Sequence, residues 1–343
     1  MTFMSTTGQT PGPPVPPVGA SGSTGPLRMT PGRWLALAIG VPVALALIGW
    51  TAYSLVASVA RGSYAFGYTF PVRNGQVALN INAGDITLHQ APAGDAARLT
   101  GTVQYGLVRP NLREFTTPTS ANISLNCSAN IAGNCGVNAH LDVPVQTGVT
   151  LWSNGGDVTA SGFSSGMTLW TDGGNVNVSN LAGALQLETG GGDLTANGLT
   201  GTLVVDTQGG NVNAGNWTEP GTGTMRLNTD GGDITVNGLT GNFQLVTTGG
   251  NVNASDVTAA MSTTQSEGGD VTLAFGQVPK DVTITALGGN VTVILPPGGT
   301  KYDISTPDNQ GGNIDIPSSL VASNSPDKIT IDSGGGDITV SQG

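Results

Sequence analysis

The stretch Gly231-Gly232-Asp233-Ile234-Thr235-Val236-Asn237-Gly238-Leu239-Thr240-Gly241 decides the fold, because its first three residues return along the chain. Gly-Gly-Asp or Gly-Gly-Asn occurs ten times, ending at Asp157, Asn175, Asp193, Asn211, Asp233, Asn251, Asp270, Asn290, Asn313 and Asp337. The steps are 18, 18, 18, 22, 18, 19, 20, 23 and 24 residues. One and three residues after each Asp or Asn the chain is apolar, as in Ile234 and Val236, Val252 and Ala254, or Ile314 and Ile316. The residue between them is Thr or Asn in nine of the ten units. That alternation is a half-buried strand with its apolar side chains inward. A second strand precedes the glycines. Six and eight residues before the motif residue lie pairs such as Leu151 and Val149, Leu169 and Met167, or Leu245 and Phe243. Six residues after it runs a corner row of Phe163, Leu181, Leu199, Trp217, Leu239 and Val257.

A unit of about 18 residues cannot bury its own apolar face, but stacked units share one core. The predicted fold is therefore all-β, a single-chain β-solenoid. The paired glycines suit the tight turn between strands. If one unit makes one turn, the Asp and Asn side chains stack ~4.8 Å apart, and Asn on alternate rungs moves the carboxylates to roughly 9.6 Å. A 36-residue turn would instead stack bare carboxylates at one corner and call for a cation; the one-unit turn is the expectation. In the unit ending at Asp270 the inward positions are Thr264 and Ser262, so the column is expected to be weakest there. The strand ending near Gly343 has no evident cap in the sequence. Its open edge is expected to be covered or to pair end to end with a second copy, giving a homo-oligomer.

Composition agrees with this reading. Of 343 residues 54 are Gly, and only 10% are charged. The usual Gly share is ~7%. Heptads of Glu, Lys and Arg are missing, which excludes a coiled coil, and Gly has no period of three, which excludes collagen. The net charge is −11, and all 22 carboxylates lie beyond residue 61. Such a body repels a phosphate backbone, so no nucleic-acid partner is expected.

Residues 1–33 are rich in Pro, Gly, Ser and Thr, including Pro13-Pro14-Val15-Pro16-Pro17, and read as a disordered tail. Residues 34–60 carry no charge and are long enough to cross a bilayer as one helix. Arg33 and Arg61 bracket them, and Trp34, Trp50 and Tyr53 sit near the expected interfaces. A cleaved signal peptide is the rival, with Ser58 and Ala60 suited to a peptidase, but the apolar run is long for one. Residues 61–74 read as a linker, 75–148 as an N-terminal β part and 149–343 as the solenoid. Arg28 and Arg33 balance Arg61 and Arg73, so flanking charge does not orient the span. Cys127 and Cys135, eight apart in a Gly/Asn/Ser-rich loop, read as a local disulfide and hence an oxidising compartment. The expected topology is a single-pass cell-membrane protein with its N-terminus cytoplasmic and residues 62–343 extracellular.

The entry Leu141-Asp142-Val143-Pro144, followed by Val149-Thr150-Leu151, Gly155-Gly156-Asp157-Val158-Thr159 and the units above, resembles the bacterial family named putative adhesins, a domain of unknown function with repeat β-strands. The likeness covers about residues 75–343, with Asn82-Ala83-Gly84-Asp85-Ile86-Thr87-Leu88 as an early, isolated copy. The resemblance implies a membrane-anchored protein of the cell envelope, with relatives linked to envelope stress, and implies no catalytic residue or cofactor.

A direct search for chemistry gives little. Asp230 with Asp233 is the best local carboxylate pair and a weak metal candidate for calcium. The calcium-roll nonapeptide is missing, and so is a Gly-x-Ser-x-Gly elbow. His89 and His140 lie far apart and read as surface or packing residues. Trp152 and Trp170 fall on the outward parity of adjacent rungs, and lateral cover by residues 62–149 is expected over an exposed aromatic platform. The expectation is therefore a non-enzymatic envelope protein that presents its solenoid to a cell-envelope glycan or a surface protein. An envelope-stress sensor and a carbohydrate-active solenoid are the alternatives.

Overall fold

The fold follows from a computed structural model that describes residues 31–59, 62–72, 75–91, 94, 96–106, 108–127, 135–219, 221 and 223–343. The tail called disordered lies outside these residues up to position 30, as do Ala60 and Arg61. The chain divides into Met1–Leu55 and Val56–Gly343.

The uncharged run, together with residues 31–33 assigned to the tail from the sequence, forms the helix Pro31–Val59, with Pro42 inside it. Its window Ala38–Leu55 has a mean hydropathy of 1.7. Ile39, Leu45, Leu47, Ile48, Trp50 and Leu55 all expose their side chains. By length and composition this helix could cross a membrane.

In the second unit each repeat contributes one strand to each of two sheets. Met167 pairs with Leu185, and Leu185 with Leu203, in parallel in one sheet. Val176 pairs with Leu194, and Leu194 with Val212, in the other. In these rungs both sheets advance 18 residues, so one unit makes one turn and the 36-residue turn is excluded. Among the described residues the sheets hold 14 and 13 strands. The columns read from the sequence are buried between them: Val158, Val176, Leu194, Val212, Ile234 and Val252 are each at most 1% exposed. The corner row from Phe163 to Val257 is buried as well. Each such side chain gains ~1.5–3 kcal/mol from burial.

The glycine turn is required mainly by stacking. A Cβ on Gly250 would collide with the carbonyl of Gly232 one rung below, whereas a Cβ on Gly249 would sit 3.6 Å from the Asp230 carbonyl, an ordinary contact. The left-handed region is needed as well at Gly156 (φ 93°) and Gly174 (φ 90°).

Three parts differ from the sequence reading. Residues 62–71, assigned to a linker, form the ten-residue strand Gly62–Pro71, antiparallel to Ala96–Tyr105. Its alternating Tyr64, Phe66, Tyr68 and Phe70 supply the apolar face, so it behaves as a strand. The early copy is not isolated. Gln76–Ile81 and Gly84–Gln90 pair directly with Gly148–Ser153 and Val158–Ser161, so the parallel column begins before residue 149. The last strand, Ile338–Gln342, is not at the edge. It lies between Val291–Leu295 and Ile314–Asp315, while Lys328–Ser333 is flanked by Asp303–Ser305. The excursion between Leu295 and Lys328 therefore covers the end, and Tyr302 and Leu320 are buried under it. Burial, and then the Asp327 carboxylate, push the Tyr302 phenol above its usual range. Ile314, expected inward, is 48% exposed because no further rung stacks on it.

Candidate binding surface

Strand alternation sends every second side chain of the 13-stranded sheet outward. Trp152 and Trp170 are in register on adjacent strands. Their rings stack with centroids 5.1 Å apart and planes 9° apart. Trp152 remains 39% exposed, so residues 62–149 do not cover the pair, contrary to expectation. The Trp170 indole N–H donates to Glu188 Oε2 at 3.1 Å. The same row continues through Glu188, Asp206 and Asn228. Asn228 Nδ2 donates to Asp206 Oδ1 at 3.2 Å.

Two shallow clefts flank this row. One, of about 480 Å³, is lined by Trp170, Asp172, Glu188, Asp206, Asn228 and Asp230 among others. The other, of about 600 Å³, carries no charged residue and includes Gln76, Gln146, Thr150, Thr168, Gln186 and Thr202. Strand Met167–Thr171 contributes to both, with Met167 and Thr168 on one side and Trp170 and Thr171 on the other. Amides, hydroxyls and carboxylates around the half-buried Trp170 indole can hydrogen-bond a polyhydroxyl ligand and cover its apolar edge.

The two candidate metal residues have different surroundings. Asp230 lines the acidic cleft. Asp233 belongs to a ladder along the glycine corner, where its Oδ1 accepts the Asn251 backbone N–H at 2.7 Å and the Asn251 amide at 3.1 Å. Among the described residues no group of three or more His, Cys, Asp or Glu side chains is placed to hold a metal ion. Cys127 and Cys135 are joined by a disulfide, Cα–Cα 5.7 Å. The fold brings His89 and His140 together around Asp142: His140 Nε2 lies 3.0 Å and His89 Nδ1 3.7 Å from Asp142 Oδ1. Parallel pairing of Gly84–Gln90 with Gly136–Val143 places them there, a contact that no sequence separation announces.

One set of residues escaped the sequence reading. Four positions before the motif residue stands a buried hydroxyl in most units: Ser153, Thr171, Thr189, Thr207, Thr229, Thr247, Ser266 and Ser333. Several clamp the turn. Thr247 accepts the Gly250 N–H at 3.0 Å and donates to the Gly232 carbonyl at 2.9 Å. The signal was in the repeat, as a Thr or Ser at a fixed offset on the inward parity.

Among curated proteins none matches the chain significantly. Three solved structures are similar to it. A putative adhesin from Bacteroides fragilis aligns over 81% of this chain and 97% of its own, at 14% identity and a TM-score of 0.32. A putative cell adhesion protein from Clostridium sporogenes aligns over 82% and 100%, at 11% identity and 0.21. A putative lipid binding protein from Parabacteroides distasonis aligns over 81% and 96%, at 10% identity and 0.30. Residues 200–341, which contain the later glycine turns and the capped end, match the family model Toastrack DUF4097, and the chain carries a Toastrack DUF4097 domain there.

Proposed function

We propose that this is a non-enzymatic, single-pass membrane protein of the cell envelope, with its β-solenoid outside the cell binding an envelope glycan or surface protein. The observation that carries the reading is the helix Pro31–Val59, whose window Ala38–Leu55 is uncharged and holds no buried residue. The Cys127–Cys135 disulfide supports an oxidising location for the body. The clefts beside Trp152 and Trp170 support a binding role, because they offer hydrogen-bonding groups on a rigid sheet.

The test uses the full chain in lipid vesicles, sedimented with envelopes of the producing cell, with calcium and with a chelator. Saturable co-sedimentation that falls at least tenfold in a Trp152→Ala, Trp170→Ala double variant is the expected result. Undiminished binding by that variant would move the surface elsewhere. No binding by either protein would overturn adhesion, and weight would pass to a sensing role through residues 1–33.

A further inference from the structure

The two ends of the sheet stack are finished differently. At one end the outermost strands are Asp303–Ser305 and Ile314–Asp315, three and two residues long, amid Pro296, Pro297, Pro307 and Pro317. Short strands and prolines blunt an edge against pairing. At the other end the 13-stranded sheet stops at Asn111–Thr117, which places Arg113 and Glu114 on its exposed edge, another protective device. The 14-stranded sheet stops at Gly62–Pro71, which has no such device. It is ten residues long, carries no charge and has proline only at its last position. Among the described residues its backbone pairs on one side alone, with Ala96–Tyr105.

We propose that this edge is a homodimer interface, in which Gly62–Pro71 pairs antiparallel with the same strand of a second copy about a two-fold axis at Phe66. Edge-to-edge antiparallel pairing of identical strands must place some residue opposite itself, so the strand has to tolerate its own reflection. Centred on Phe66, the pairing sets Tyr64 opposite the second copy's Tyr68 on the inner face. On the outer face it sets Ala65 opposite Gly67 and Ser63 opposite Thr69. Aromatic cross-strand pairs are favourable, small residues fit closely, and no like charges meet. The same operation on Asn111–Thr117 centred on Glu114 would oppose two carboxylates.

Charge favours the same end. Residues 62–149 hold four acids and four bases, whereas 150–343 hold 18 acids and four bases. Two copies repel least when they meet through the neutral end. The partner chemistry is therefore a second copy of this chain, and the two 14-stranded sheets become one.

The outward residues Ser63, Ala65, Gly67 and Thr69 are all exposed, and a Cβ on Gly67 meets only Thr100 Cγ2 at 3.8 Å. Single cysteines at these four positions in the full chain, in membranes or detergent, are treated with a short bismaleimide. Crosslinking is expected to be strong at 65 and 67 and at least fivefold weaker at 63 and 69, where two-fold pairing separates the like residues by about 20 Å. Light scattering of the unmodified chain is expected to give a dimer, and Ala65→Asp with Gly67→Asp a monomer of unchanged circular dichroism. A monomeric parent chain, or crosslinking equal at all four positions as parallel packing would give, overturns the proposal.

Discussion

Thr264 and Ser262 occupy core positions where neighbouring rungs put Leu245 and Ile284, and Phe243 and Val282. Both hydroxyls are buried and without a hydrogen-bond partner. Most of the inward hydroxyls four positions before the motif residue are bonded to a glycine turn, whereas Thr264 and Ser262, like Thr189, stand unpaired and cost stability. Replacing an unpaired buried hydroxyl by a methyl recovers about 1–2 kcal/mol. Thr264→Val is therefore expected to raise the urea midpoint of the β-unit, with backbone amides at 258–268 exchanging more slowly. An unchanged or lower midpoint would mean that the hydroxyl is bonded, for instance through water. The inward direction of Thr264 was legible from alternation alone. The way Trp152 and Trp170 stack was not, because parity sets the face of a sheet and not the ring angle.

The corner ladder is an element whose logic appears only in three dimensions. Along the sequence, the Asp/Asn alternation breaks once, where Asn313 follows Asn290 before Asp337. In space the last strand slips between the other two. Asn290 Oδ1 accepts the Asp337 N–H at 2.9 Å, and Asp337 Oδ1 accepts the Asn313 N–H at 2.8 Å. The order becomes Asn, Asp, Asn, and alternation holds from Asp157 to the end of the stack. The repeat was legible because local apolar periodicity writes it. The insertion was not, since it depends on a long-range pairing 47 residues apart. The chemistry of the alternation is visible in the side chains: Asn211, Asn251, Asn290 and Asn313 each donate an amide to the Asp of a neighbouring rung. Asn251→Asp would remove the donor to Asp233 and put three carboxylates on successive rungs, through Asp270. The loss is about 1–3 kcal/mol from one hydrogen bond and two repulsions of ~0.9 kcal/mol before screening. Asn251→Ser, which adds no charge, should cost less. The ladder account fails if the two variants unfold at the same urea concentration in low salt.

Charge is the property of the whole molecule that the rungs cannot show singly. The 18 acids of residues 150–343 face four bases, and Lys280 with Asp327, at 2.7 Å, is an ion pair that ties the end excursion to the stack. Carboxylates roughly 9.6 Å apart along the corner interact across several rungs when the Debye length is ~30 Å, at 0.01 M salt, and only with their neighbours when it is ~8 Å, at 0.15 M. Self-repulsion should therefore dominate the salt response, and the urea midpoint of the β-unit should rise between 0.01 M and 0.5 M sodium chloride. A fall would mean that attractive pairs such as Lys280–Asp327 outweigh the repulsion. Calcium at matched ionic strength separates screening from binding. Equal midpoints in the two salts are expected if the Asp corner and the acidic cleft are solvated surfaces. An excess stabilisation by calcium that Asp230→Asn removes would make the cleft a cation site, because screening alone depends on ionic strength and not on one carboxylate.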